Sequence, residues 1–117
     1  MKNGAITLRT PEDFVFKIKA DFLKAIAHPI RLKILERLKN GKEASVGELV
    51  KALDVEQSSL SKHLSILKQA GIVGSRQEKV TVYYSVRDKE IYNILLPIAA
   101  MLKRKLKEGQ EILAHLG

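Results

Sequence analysis

The segment from Val46 to Gly71 constrains the fold of this chain more than any other part of the sequence. It has the pattern of two short helices joined by a tight turn, with Leu60, Leu64 and Leu67 recurring at helical spacing in the second helix. These leucines predict one apolar edge that packs against the rest of the protein. Hydroxyl, amide and lysine side chains occupy the opposite side of the same predicted helix.

The polar side of this second helix is suited to an anionic surface. Short hydrogen-bonding side chains reach base edges and phosphates in the DNA major groove, where the second helix of a helix-turn-helix lies. We therefore expect contacts to double-stranded DNA from Gln57, Ser58, Ser61, Lys62, His63 and Ser65. His63 also lies beside the leucine edge, so a half-buried histidine bonded to a backbone group is an equal alternative. Gln57 stands at the helix start and is also compatible with a capping role.

The chain is strongly basic and contains no cysteine. Its 21 Lys and Arg residues against 13 Asp and Glu residues give a net charge of +8, and most of the excess lies in residues 28–87. This balance favours an anionic partner, with nucleic acid ahead of an acidic membrane surface. The absence of cysteine excludes disulfides, thiol redox switching and thiolate metal sites.

Length and hydrophobic content predict a single domain over residues 1–117. The first residues, through Asp13, have no apolar core of the length that a signal peptide needs, and no apolar run approaches the ~20 residues of a membrane span. We therefore expect a soluble, cytoplasmic protein with no membrane partner. Because no nucleophile, base and orienting group stand at a recognisable spacing, we expect neither an enzyme nor a cofactor.

Start and stop signals predict a mainly α fold with a small β-hairpin, in the order α-α-α-α-β-β-α. Thr10 followed by Pro11 begins a first helix that ends before Pro29, and the S-x-x-E sequence Ser45–Glu48 is a capping box for the third helix. The four predicted helices cover residues 10–27, 29–39, 45–53 and 56–70. The helix-turn-helix itself is residues 45–71, with its turn at Asp54–Val55.

A hairpin is predicted directly after the helix-turn-helix, which makes it a wing over residues 72–87. Its strands are Ile72–Gln77 and Val80–Val86, rich in β-branched and aromatic residues, although the connection lacks the Asn-Gly or Asp-Gly of a secure two-residue turn. Arg76 and Lys79, near the tip, are expected to contact phosphate or the minor groove of DNA.

The predicted first and last helices, residues 10–27 and 88–117, carry more apolar surface than a domain of this size needs for its own core. Asp88 is expected to cap the last helix, with a kink or break near Asn93 caused by Pro97 and a second interruption at Gly109. We expect the two helices to form a homodimer across a two-fold axis. The expected interface residues are Phe14, Ile18, Phe22, Ile94, Ile98, Met101 and Leu102.

Four segments in order resemble the ArsR/SmtB family of small winged-helix repressors. They are the opening Phe22–Leu35, the recognition helix Val55–Leu64, its exit Leu67–Val73 and the return strand of the wing, Val82–Val86. The resemblance covers most of residues 22–94. It implies a winged helix-turn-helix and a homodimeric transcriptional repressor that leaves an inverted-repeat operator when an inducer binds.

The sequence departs from the metal-sensing members of that family. Their Cys-x-Cys pair is replaced here by Ser45 and Gly47, so the soft-metal site is missing. Glu111 and His115 could bind zinc across a dimer, but such a pair is more often a solvated helix face, and we expect no metal site. Gly47 costs ~1 kcal/mol against alanine inside a helix, and close packing is the only explanation that the sequence offers.

Several interpretations stay open at this stage. His28 is expected to be a helix cap or a packing residue rather than a ligand, while Arg31 is compatible with a phosphate contact and with a surface ion pair. The leading function is a dimeric DNA-binding repressor. The alternatives are a sensor with a metal or small molecule bound on the dimer helices and a winged-helix protein–protein adaptor. The sequence selects no inducer.

Overall fold

The computed structural model describes residues 9–116, so residues 1–8 and Gly117, which the predictions on a signal segment and on the domain ends include, lie outside the described part. The chain forms two compact units, one ending at Arg87 and the other beginning at Asp88. The helices are α1 (Pro11–Ile26), α2 (Pro29–Arg37), α3 (Val46–Leu53), α4 (Gln57–Gln69) and α5 (Ile91–His115). The strands are β1 (Ala44–Ser45), β2 (Val73–Glu78) and β3 (Thr81–Val86), and a 3₁₀ turn covers Lys39–Gly41.

The observed order of helices and strands confirms the predicted fold class, with β1 as an addition. The sheet is three-stranded in the order β1-β3-β2, and both pairings are antiparallel. Val73 pairs with Val86 at the base of the wing, and Glu78 pairs with Thr81 beside the tip. Strand β1 is only two residues long, too short to show a sequence period, which is why the sequence did not indicate it.

Local hydrogen bonds explain where α1 and α2 begin. The Thr10 hydroxyl accepts from the Asp13 N–H at 3.1 Å while the Asp13 carboxylate accepts from the Thr10 N–H at 3.2 Å, which forms a capping box. Nδ1 of His28 accepts from the Ile30 N–H at 3.1 Å, so His28 caps α2 as expected. Helix α2 ends two residues earlier than predicted, because the backbone leaves the α-helical conformation at Leu38 (φ −90°, ψ 7°) and continues as the 3₁₀ turn that contains the left-handed Asn40 (φ +64°).

The helix-turn-helix follows its sequence signals closely. Ser45 and Glu48 form the predicted reciprocal cap of α3, with bonds of 3.2 and 3.0 Å. Asp54 ends α3 in the left-handed region at φ +52°, and Gly71, at φ +78°, follows α4. The core of this unit is made by side chains with no solvent exposure from α2 and the residue that follows it, and from α3, α4 and β2. They are Ile34, Leu35, Leu38, Leu49, Leu60, Leu64, Leu67 and Val73.

The wing turn lies one residue later than predicted. Lys79 and Val80 connect the strands, and Lys79 takes the left-handed conformation (φ +57°) that asparagine or glycine usually supplies in such a turn. Val80 is 94% exposed at the tip.

Helix α5 corrects two expectations. It runs as one helix through Pro97 and Gly109, so a break near Asn93 and an interruption at Gly109 are wrong, while a kink near Asn93 stays a prediction. Proline removes one N–H donor and glycine costs about 1 kcal/mol, and a 25-residue helix keeps enough other hydrogen bonds to continue. The Asp88 carboxylate accepts from the Glu90 N–H at 2.9 Å, so it caps the turn that leads into α5, which itself begins at Ile91. No helix within residues 9–116 is long and apolar enough to cross a membrane.

Two glycines within the helix-turn-helix, Gly47 and Gly71, should change stability in opposite directions when replaced by alanine. A Cβ at Gly71 meets nothing within 4 Å, so Gly71→Ala should lose about 1–2 kcal/mol solely from its left-handed backbone. A Cβ at Gly47 meets only Oγ of Ser45, at 3.9 Å, so close packing does not explain this glycine. We expect Gly47→Ala to gain about 0.5–1 kcal/mol. Urea unfolding of both variants measures the two changes, and equal signs would contradict this account.

Candidate nucleic-acid interface

Five of the predicted contact residues lie together on the exposed side of α4. Opposite them, the three leucines of α4 have no solvent exposure and fix how the helix is rotated about its axis. Among the described residues, these five side chains make no intramolecular hydrogen bond or ion pair, so their donors and acceptors face solvent. We call this set the polar face of α4. It consists of Gln57, Ser58, Ser61, Lys62 and Ser65.

The N-terminal end of α4 adds backbone donors to the polar face. Glu56 is the N-cap residue, but its side chain makes no capping hydrogen bond, so the first N–H groups of the helix have no such partner. The positive end of the helix dipole lies at the same end. An uncapped helix N-terminus next to Gln57 and Ser58 is therefore favourable for a phosphate oxygen.

His63 does not belong to the polar face. It is 8% exposed, its Nδ1 accepts a hydrogen bond from Nε–H of Arg31 at 3.1 Å, and its ring centroid lies 4.1 Å from that of His28. Burial lowers the pKa of His63, and the positive charges of the nearby His28, Arg31 and Lys62 lower it further. The geometry therefore favours the buried alternative for His63, although its partner is a side chain and not the expected backbone group.

Arg31 has a role that the sequence did not indicate. Its Nη1 donates to the backbone carbonyls of Lys24 at 3.0 Å and Ala25 at 3.1 Å, near the end of α1, while Nε donates to His63. Arg31 therefore bonds to the carbonyl end of α1, where the Lys24 oxygen also accepts from the Ala27 N–H at 3.3 Å. Its guanidinium forms no ion pair within residues 9–116, and the phosphate contact stays a prediction. Its contact to His63 joins residues 32 positions apart, and no local spacing signals such a pair.

The two predicted wing contacts, Arg76 and Lys79, differ in whether their side chains already have partners within the protein. Arg76 donates to both carboxylate oxygens of Glu43, at 2.7 and 2.9 Å, and to Glu78 at 2.8 Å, and it stacks over Tyr83 with 4.8 Å to the ring centroid. These carboxylates raise the pKa of Arg76, and the guanidinium lowers the pKa of Glu43. The charge of this guanidinium is therefore offset by two carboxylates, whereas the Lys79 side chain at the tip is exposed and makes no hydrogen bond or ion pair within residues 9–116.

Sequence reasoning missed Lys68 as a structural residue. Its Nζ donates to the Ser75 hydroxyl at 2.6 Å and so connects α4 to strand β2. A lysine late in a helix indicates at most a favourable position in the helix dipole, and its partner in the wing has no signal in the sequence.

The predicted dimer residues leave apolar surface exposed on α1 and on α5. Phe14 and Ile18 are exposed on α1, where Phe22 is half-buried. The α5 members of the predicted set, Ile94, Ile98, Met101 and Leu102, are 42–55% exposed. Exposed large apolar side chains on one helix, as on α1 and on α5 separately, are typical of an interaction surface.

The possible zinc pair lies on one helix. Glu111 and His115 border a shallow depression on α5 together with Glu108, Ile112 and Leu116. Within the part of the chain that the structure describes, no three His, Asp or Glu side chains are grouped as a metal ion would require.

A buried leucine edge, an exposed polar face on the second helix of a helix-turn-helix and a following β-hairpin define a winged helix-turn-helix DNA-binding protein. Comparison with known proteins gives the family. The family described as bacterial regulatory protein, arsR family, matches residues 28–75. The chain is 36% identical over 103 residues to the HTH-type transcriptional regulator Rv0081 of Mycobacterium tuberculosis, a match that covers 87% of this chain and 90% of that protein.

A further relative and two solved structures also match this chain. The biofilm growth-associated repressor of Agrobacterium fabrum is 38% identical, with 70% of this chain and 69% of that protein covered. The crystal structure of Rv0081 superposes with a TM-score of 0.73 at 36% identity, covering 86% of this chain and 97% of the other. That of NolR from Sinorhizobium fredii gives 0.72 at 35% identity, covering 81% and 95%. The chain belongs to the arsR family of bacterial regulatory proteins and is a DNA-binding transcriptional regulator.

Substitutions on the two sides of α4 should differ in their effect on the free energy of unfolding. Leu64→Ala leaves a cavity in a fully buried position and should cost about 2–5 kcal/mol in unfolding free energy. Ser61→Ala, on the polar face, should change it by less than about 0.5 kcal/mol. Urea denaturation of both variants is the measurement, and a large loss in Ser61→Ala would show that the polar face has a structural role.

Proposed function

We propose that this protein is a homodimeric transcriptional repressor that binds an inverted-repeat operator in double-stranded DNA in the bacterial cytoplasm. The observation that carries the proposal is the polar face of α4, whose five side chains are exposed and have no hydrogen-bond partner within residues 9–116. Side chains that are already paired lose those bonds on binding, whereas free ones can bond to base edges without that loss.

The side chains of α4 and of the wing divide into those that contact DNA bases and those that contact the DNA phosphates. Gln57, Ser58, Ser61 and Lys62 lie in the first two turns of α4, the part of a recognition helix that enters the major groove, and Ser65 extends the same face by one turn. Lys79, at the exposed wing tip, contacts the flanking phosphates. Arg76 supports the wing through Glu43 and Glu78, because its guanidinium is already engaged.

A second copy of the chain is the partner that the exposed apolar residues of α1 and α5 fit best. Exposed apolar side chains such as Phe14 and Met101 are unfavourable in water. An interface that covers them stabilises the complex by about 25 cal/mol for each Å² of apolar surface buried. A two-fold dimer presents two polar faces, whose half-sites are separated by about one DNA turn, ~34 Å. The repressor name of the Agrobacterium fabrum relative supports the direction of regulation.

The test is selection of bound duplexes from a random DNA pool at ~150 mM salt, a concentration at which non-specific attraction is weak. Recovery of an imperfect inverted repeat, with half-sites one turn apart, supports the proposal. A pool with no shared sequence would instead favour a protein adaptor, because only general charge attraction would remain.

Lys62 should be the lysine on which operator binding depends. Lys62→Ala should weaken binding to the selected duplex by about 1–3 kcal/mol and relax the preference at one base pair if the ammonium group contacts a base. Lys33→Ala on α2 removes the same charge from an exposed position outside the polar face and is the matched control. Fluorescence anisotropy titrations of both variants, on matched and mismatched duplexes, make the comparison. Equal weakening in the two variants would contradict a specific contact.

Dimerisation should depend on α5. Met101→Glu introduces a carboxylate into the proposed interface and should convert the dimer to a monomer at micromolar concentration, because an unpaired charge is costly to bury. Gln110→Glu adds the same charge to the same helix outside the proposed interface set and should remain dimeric. Sedimentation velocity measures both, and a wild-type monomer would rule out the proposed dimer.

A further inference from the structure

We propose that Arg31, acting through His63, positions the recognition helix α4 for DNA, and that this contact holds only while His63 is uncharged. Operator binding should therefore weaken in mild acid. The inference rests on the proposed function, because it describes how the DNA-contacting helix is held in place. Arg31 and His63 are positioning residues here, since neither belongs to the polar face.

Arg31 connects three helices through one guanidinium. It stands on α2, its Nη1 donates to two carbonyls near the end of α1, and its Nε donates to His63 on α4, with all three distances between 3.0 and 3.1 Å. Bonds from a charged donor are stronger than those between neutral groups. His63 directly follows Lys62, so the bond to its ring fixes a point of α4 next to a proposed DNA contact.

The hydrogen bonds define where the imidazole protons lie. A guanidinium has only donors, so Nδ1 of His63 must accept, and the proton of the neutral ring is on Nε2. The neighbouring His28 has the same arrangement, because its Nδ1 accepts from the backbone N–H of Ile30. The centroids of the two rings lie 4.1 Å apart, and each ring uses its Nδ1 as an acceptor.

Protonation of His63 is incompatible with this geometry. An imidazolium carries a hydrogen on Nδ1, which would point at the N–H of Arg31, and it would place two positive charges at hydrogen-bond distance. The groups acting on His63 are His28, which caps α2, Arg31 from α2 and Lys62 from α4, while α1 contributes only carbonyls to which Arg31 donates. None of these groups is a carboxylate that would stabilise an imidazolium.

The sign of the pH effect follows from these contacts. Burial, followed by the three positive neighbours, lowers the pKa of His63 from its ordinary value of 6.5. The folded protein therefore takes up this proton less readily than the unfolded chain, so the bond to Arg31 is fully present above pH 6.5 and is lost as pH falls through the lowered pKa. Simple electrostatics gives the opposite trend, since protonated histidines add positive charge and strengthen attraction to DNA. The direction of the change is thus diagnostic.

The experiment compares wild type with His63→Asn, using the duplex recovered by selection as the probe. Asparagine offers an amide oxygen as an acceptor for Arg31 and does not titrate. Titrations at fixed ionic strength from pH 7.5 to 5.0 should show wild-type affinity falling by up to about tenfold for each pH unit below the His63 pKa. The affinity of His63→Asn should stay constant within about twofold between pH 7.5 and 5.0, as no proton is taken up at this position. Wild-type binding that is constant or tighter in acid would overturn the inference, as would an equal fall in the variant.

Matched variants separate this contact from general charge effects. The chain has three histidines, and His115→Asn on α5 should keep the wild-type pH profile. Arg31→Gln should weaken binding at pH 7.5 and remove the acid response, whereas Arg37→Gln, which deletes a charge from the same helix, should leave both unchanged. A pH profile that follows Arg37 or His115 would overturn the assignment.

A spectroscopic measurement on wild type covers the case in which a variant fails to fold. Long-range ¹H–¹⁵N spectra of the imidazoles should give His63 as the Nε2–H tautomer with a pKa below 6.5. An Nδ1–H tautomer would overturn the inference. Absence of sequence-specific binding at pH 7.5 would instead count against the proposed function, which keeps the two failures distinct.

Discussion

The packing of three leucines of α4 against the core is the interaction on which the rest of the structure depends. Leu60, Leu64 and Leu67 are completely buried, and each contributes about 1.5–3 kcal/mol by leaving water. Because they lie on one edge, their burial fixes both the distance of α4 from the core and its rotation about its own axis. The polar face lies on the opposite side of the helix from this edge, so the same residues that stabilise the domain orient the surface proposed to contact DNA.

Formal charge is a poor guide to which cations are available for DNA. The chain carries a net charge of +8, yet Arg31 is engaged by carbonyls and a histidine, and Arg76 by two carboxylates. Lys62 and Lys79 have no side-chain hydrogen bond within residues 9–116 and remain free for a partner. Burial and pairing therefore divide the basic residues into those that hold the fold together and those that can neutralise phosphate.

Features that depend on residues close together in the sequence were predicted correctly, and contacts between distant residues were not. The caps at Thr10, His28 and Ser45 and the leucine edge of α4 depend on neighbours within a few residues, so their sequence patterns were sufficient. The contacts of Arg31 with His63 and of Arg76 with Glu43 join residues 32 and 33 positions apart, and single-sequence periodicity carries no information on such pairs. The predicted interruptions of α5 were wrong for a different reason. The free-energy costs of Pro97 and Gly109 were treated as decisive, but a helix of this length tolerates them.

The long-range bond between α2 and α4 also bears on the order in which the chain acquires its structure. During synthesis the N-terminal part emerges first, and helices form far faster than residues are added. Arg31 precedes His63 by 32 positions, so the guanidinium and the carbonyls of α1 that hold it are already present when α4 leaves the ribosome. Helix α4, the proposed recognition helix, thus meets a partner that is already in place. The wing is synthesised last in this unit and is added to a helix-turn-helix that already has its orientation.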